Sequence, residues 1–118
     1  FKAYPTRVGE GPFSTEMSRQ ASDALGIQEF GTVTHRQRRI GTWDGNLARY
    51  SAMINGCTQA AITGIDRVDH DCYGITEYSK LTPKAKEFLA QVEEDTGCPV
   101  TLISTGPDIS QIIDLRDE

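Results

Sequence analysis

Arg36, Arg38 and Arg39 crowd the stretch Thr34–Arg39, which reads THRQRR in a neighbourhood rich in threonine and glycine. Guanidinium groups are planar forks of N–H donors that match carboxylate or phosphate oxygens two at a time. The same cluster would serve as a solvated basic loop or a set of surface ion pairs. Asp66 is a second candidate, at the end of the apolar run Gln59–Ile65. A carboxylate fixed at a strand end can accept two parallel hydrogen bonds from N1–H and N2–H of guanine, a pair that adenine does not offer. Strand-end aspartates also cap turns, which is their commoner use. The third candidate is Ser104–Pro107, STGP, where hydroxyls, a glycine and a proline after a strand make a tight turn that presents backbone N–H groups. An ordinary strand-to-loop turn has the same composition.

These residues need elements to place them. Residues 1–17 read as a loop running off a short strand, with turn signals in RVGEGPF. Ser18–Leu25 fits a short helix closed by Gly26, and residues 26–44 read as a long loop. Asp44 is positioned to cap a helix running to Asn55, with Leu47, Tyr50, Ser51 and Ile54 as its stripe. Gln59–Ile65 reads as a buried strand. Thr82 and Pro83 open the clearest helix, whose apolar face is Ala85, Phe88, Leu89 and Val92 and whose end is Gly97 with Pro99. Val100–Ser104 is a further strand, and Ile112–Leu115 a final one, at an edge. Strand, helix and strand at this spacing make a βαβ unit with parallel strands. Asp66 and Ser104 then leave the same carboxyl edge, where open α/β sheets bind ligands. The expected fold is α/β, a mostly parallel sheet with packed helices.

The 118 residues carry 17 acidic and 12 basic side chains, for a net charge of -5. A general nucleic-acid or membrane-surface binder would show the opposite balance. The arginine loop also lacks flanking aromatic residues for base stacking. Cys57, Cys72 and Cys98 are odd in number and irregularly spaced, which suggests neither a disulfide scaffold nor a zinc site and suits a reducing compartment. No apolar run approaches the length of a membrane-spanning helix. Tyr4, Trp43, Tyr50 and Phe88 read as core or rim aromatics, and His35 and His70 as surface histidines.

The segments YPTRVGEGPFSTE, EFGTVTHRQRRIGTWD, TGID and LISTGPD, in that order, closely resemble the C-terminal third of adenylosuccinate synthetases. The resemblance extends over essentially the whole chain. It implies a substrate- and nucleotide-binding segment, residues 1–118, of a larger synthetase domain that joins IMP and L-aspartate with GTP and Mg²⁺. In such enzymes the γ-phosphoryl group moves to the purine 6-oxygen, and the aspartate amine then displaces phosphate. By resemblance, Val8 and Gly9 lie against the IMP ribose. Thr32, Val33, Thr34, His35, Arg36 and Arg38 form the aspartate loop, with Arg36 bridging aspartate and nucleotide and Arg38 also facing the GTP phosphates. Gly64, Ile65 and Asp66 with Ser104, Thr105, Gly106 and Pro107 hold the guanine, Asp66 reading its edge. No catalytic residue and no metal ligand falls within the chain.

Val33 and His35 depart from the threonine and glycine usual in the aspartate loop, and Gly64 replaces a lysine of the guanine segment. Fewer than forty residues separate Asp66 from Ser104, as in compact, archaeal-type members. The chain opens at Phe1 and contains no glycine-rich phosphate loop, so it is expected to be a C-terminal piece, inactive alone, that exposes a strand edge or apolar face and can self-associate. The resemblance further implies a cytoplasmic homodimer with no nucleic-acid or membrane partner. Two other readings remain open: a freestanding non-catalytic nucleotide-binding module, and an RNA-contacting protein using Arg36, Arg38 and Arg39.

Overall fold

A computed structural model describes residues 1–33 and 36–116. The chain forms two compact units. The smaller is Tyr4–Asp44, and the larger takes in Phe1–Ala3 and the chain from Gly45 onward.

In the smaller unit β1 (Thr6–Arg7) pairs antiparallel with β2 (Arg39–Ile40). Between them lies α1 (Arg19–Leu25), where Ser18 Oγ accepts from the Ala21 N–H at 3.1 Å and Gly26 closes the C-terminus in the left-handed region. The stretch 26–44, expected to be a loop, is partly laddered. Phe30 and Gln37 form an antiparallel bridge, as do Glu16 and Gly41, and the Gly31 N–H reaches the Arg36 carbonyl at 2.8 Å. Backbone pairing therefore organises a segment whose side chains show no periodicity.

The larger unit holds α2 (Gly45–Asn55), β3 (Ala60–Ile62), α3 (Ile65–Val68), two 3-10 turns (His70–Cys72 and Tyr78–Lys80), α4 (Pro83–Thr96), β4 (Val100–Ser104) and β5 (Ile112–Asp114). The sheet order is β3-β4-β5. β3 and β4 are parallel, as their connection through α4 requires. β5 is antiparallel to β4, so the α/β sheet is mixed and β5 is an edge. Ile62, Ile65, Val92, Ile103 and Ile113 are buried between sheet and helices. Each such side chain contributes about 1.5–3 kcal/mol relative to leaving it in water.

α4 forms as its sequence dictates. Thr82 Oγ1 accepts from the Ala85 N–H at 3.4 Å, Pro83 occupies the first turn, and Gly97 ends the helix at φ 70°. Ala85, Leu89 and Val92 are its buried face. α2 differs from expectation. Leu47, Tyr50 and Ile54 are 59%, 58% and 63% exposed, whereas Ala48 and Ala52 are buried. Gly45, Ala48 and Ala52 form a stripe of small residues, and α2 packs against α4. Small side chains permit a close helix approach that leucine and tyrosine would block.

Candidate functional site

The carboxyl ends of β3 and β4 lie at one edge of the sheet because the two strands run parallel. β3 stops at Ile62, earlier than its apolar run implies. Thr63 makes a parallel bridge with Lys2, and Gly64 then turns the chain at φ 84°, a conformation that favours glycine. Asp66 therefore stands in the first turn of α3 rather than at the strand end itself. Ile65 is fully buried in the core, so its side chain anchors α3 and leaves none of itself for a ligand. The Asp66 carboxylate is half-buried and takes no hydrogen bond or ion pair among the described residues. Asp69, three residues on, is fully engaged. It accepts from Thr82 Oγ1 at 2.7 Å and from the Asp71 N–H at 3.1 Å, and these bonds, Thr82's first, hold it below the ordinary carboxylate range.

At the end of β4 the Ser104–Pro107 turn is braced from within. Thr105 is fully buried, its hydroxyl donating to the Ile75 carbonyl at 2.8 Å and its N–H to the Gln111 carbonyl at 2.9 Å. Its side chain and N–H are structural. Ser104 Oγ donates to the Gly106 carbonyl at 2.9 Å and keeps its lone pairs. The Gln111 side chain lies directly over Gly106 and accepts from the Asp108 N–H at 2.9 Å. Nothing in the spacing of STGP points to Gln111; the signal is tertiary.

In the smaller unit the three arginines differ in what they hold. Arg39 donates twice to Glu16, from Nε and Nη2 at 2.8 Å each, and from Nη1 to the Gly9 carbonyl at 2.9 Å. It also lies over the Phe13 ring at 5.6 Å. Its hydrogen bonds hold Glu16 below the usual carboxylate range. Arg38 makes a looser pair with Glu29 at 3.6 Å, and its Nε is buried with no acceptor among the described residues. Arg36 is exposed and its side chain has no partner among the described residues. Arg19, Gln37, Arg38 and Arg39 line a pocket of about 190 Å³ in this unit, together with Glu16. Thr32 and Val33 are exposed on a turn; Thr34 and His35 lie outside the described residues. Val8 and Gly9 are exposed in a loop held by Arg7, whose guanidinium donates to the carbonyls of Glu10 and Pro12 at 3.2 and 3.1 Å.

A parallel βαβ pair with an unspent carboxylate and a braced turn at its carboxyl edge belongs to the class of open α/β folds whose ligand edge is formed by strand ends. Comparison with known proteins narrows this. The adenylosuccinate synthetase family profile matches residues 1–71, and the chain belongs to that family. It is 67% identical to the adenylosuccinate synthetase of Archaeoglobus fulgidus over 118 residues, covering 100% of this chain and 35% of that protein. With the Methanocaldococcus jannaschii enzyme the identity is 59%, over 100% of this chain and 34% of that protein. The chain thus spans about a third of the length of these curated relatives. Its fold is similar to that of the fully ligated adenylosuccinate synthetase from Plasmodium falciparum, with a TM-score of 0.85 at 23% identity, over 96% of this chain and 38% of that one. A cyanophage S-2L succinoaminodeoxyadenylate synthetase, bound to dGMP and dATP, gives a TM-score of 0.70 at 23% identity, over 99% of this chain and 32% of its own.

Proposed function

We propose that this chain holds substrates for a GTP-dependent ligation of IMP and L-aspartate to adenylosuccinate, a step of purine synthesis. The observation that carries the reading is the Asp66 carboxylate, half-buried and unspent beside a neighbour, Asp69, whose oxygens are committed. A carboxylate held in place with both oxygens unspent can accept two hydrogen bonds, and guanine supplies two donors in the required parallel pair. Ser104, Gly106 and Pro107 line the base. Gly64 covers it less than a lysine stem would, so base selectivity rests on Asp66.

The same reasoning assigns Arg36 and Arg38 to anionic groups of aspartate and nucleotide. Among the described residues Arg38 Nε lacks an acceptor and Arg36 has no partner. Thr32 to Arg38 form the aspartate loop in this reading, and Val8 and Gly9 lie against the IMP ribose. The ligation gains from these groups by positioning and charge neutralisation, since a fixed guanidinium stabilises charge on a migrating phosphoryl group without reorganising solvent. Among the described residues no cluster of three or more His, Cys, Asp or Glu side chains could hold a metal ion. The homodimer and cytoplasmic location of the family belong to the same proposal; no helix among the described residues is long and apolar enough to cross a membrane.

Displacement of a fluorescent guanine nucleotide from the purified chain tests the reading. GTP should compete and ATP should not; equal competition by both would remove Asp66 from its role.

A further inference from the structure

The amino ends of β3 and β4, opposite the ligand edge, bring two cysteines together. Cys57 follows the C-terminus of α2, and Cys98 joins α4 to β4. Cys98 Sγ donates to the Cys57 carbonyl at 3.0 Å, and Cys57 Sγ to the Gln59 carbonyl at 3.1 Å. Both are free thiols. The strands they precede are already joined, with Ala60 opposite Val100 and the Ala60 N–H on the Pro99 carbonyl at 2.9 Å. The surroundings thus fix both backbones with the Cys98 sulfur against the Cys57 main chain. No third ligand is at hand for a metal among the described residues.

We propose that Cys57 and Cys98 are a redox modification site that closes to an intramolecular disulfide under a small-molecule disulfide oxidant. Cys57 is the entry point because it is partly exposed, whereas Cys98 is 6% exposed. Its thiolate attacks one sulfur of the oxidant, forming a mixed disulfide and releasing one thiolate. Cys98 loses its proton as it attacks Cys57 Sγ, and the second oxidant thiol leaves. Two protein thiols are oxidised by two electrons, and one oxidant disulfide is reduced to two thiols. The adjoining Cys57 thiol, and then burial, hold Cys98 above the ordinary thiol value. Cys72 is fully buried, with its sulfur 3.4 Å from Thr82 Oγ1, and takes no part. The closed bond would join residues 41 apart in sequence and tie the C-terminal ends of the packed helices α2 and α4.

The test is incubation of the purified 118-residue chain with oxidised glutathione, followed by acid quench, intact mass and non-reducing peptide mapping. The expected result is a loss of about 2 Da, a Cys57–Cys98 cross-linked peptide and one remaining free thiol, Cys72. Cys72→Ser should retain the mass loss, and Cys57→Ser and Cys98→Ser should each abolish it. Mapping of the unsubstituted chain decides the matter should a serine variant not fold. Glutathione left on Cys57, a disulfide between two copies, or three unmodified thiols would each overturn the proposal.

Discussion

Arg39 clasps Glu16 through two parallel hydrogen bonds of 2.8 Å, and the same guanidinium holds the Gly9 carbonyl at 2.9 Å. The residue that reads in sequence as the third fork of an anion-binding cluster is thus a tie across the smaller unit. An RNA-contacting use of Arg36, Arg38 and Arg39 together would have to break it. The carboxylate partner also gives the unit a pH signature. Glu16 is held below the usual range by Arg39, so its contribution is present above the unfolded glutamate value of about 4.3 and is lost as pH falls through the lower folded value. Urea unfolding from neutral pH into this acid window should show the unsubstituted chain losing stability more steeply than Glu16→Gln. Parallel curves would contradict the clasp.

The α2–α4 contact is set by small residues. A Cβ on Gly45 would stand 2.5 Å from Asp95 Oδ2, and Asp95 is itself buried and bonded to Gln91 Nε2 at 3.0 Å. Gly45→Ala should therefore cost about 1–3 kcal/mol, as overpacking does. Ile54→Ala, on the exposed face, should stay within about 0.5 kcal/mol. Chemical denaturation of both variants checks the assignment, and the reverse order would restore the Leu47–Ile54 stripe as the buried face.

Thr82 serves two partners, capping α4 at the Ala85 N–H and donating to Asp69 at 2.7 Å. Thr82→Ala should cost about 1–2 kcal/mol, and Thr82→Ser should recover most of it because the hydroxyl is what both partners use. Equal losses in the two variants would mean that the methyl group, not the hydroxyl, matters.

Where local chemistry decides, the sequence is legible. Ser18, Gly26, Thr82, Pro83 and Gly97 mark helix ends that the structure reproduces, and Val100–Ser104 is the strand as read. Where tertiary contact decides, it is not. Ala48 and Ala52 look too weakly apolar to outrank Leu47, Tyr50 and Ile54, yet only small residues fit against α4. The bridge between Phe30 and Gln37 depends on backbone pairing that side-chain pattern does not encode. Asp66 and the Ser104–Pro107 turn are visible as candidates from their place after apolar strands. That Thr105 and Ile65 face inward, and that Gln111 braces the turn, follows only from the packed chain.

That brace carries its own consequence. A Cβ on Gly106 would overlap the Gln111 side chain, whose Oε1 holds the Asp108 N–H at 2.9 Å. Gly106→Ala should displace Gln111, distort the turn and weaken GTP binding by roughly 10-fold, about 1.4 kcal/mol. Unchanged GTP affinity in this variant would place the turn away from the base.

Asp66→Asn tests the nucleotide assignment most directly, by isothermal titration of the purified chain with GTP and with XTP. Asparagine offers one acceptor and one donor where aspartate offers two acceptors, so it matches the N1–H and 2-oxo group of xanthine rather than the two donors of guanine. The expected result is a loss of roughly 10- to 100-fold in GTP affinity, as for a charge-assisted hydrogen bond of about 1.5–3 kcal/mol, with a gain for XTP. GTP binding unchanged by the substitution, with no gain for XTP, would contradict the assignment of Asp66 to the guanine base.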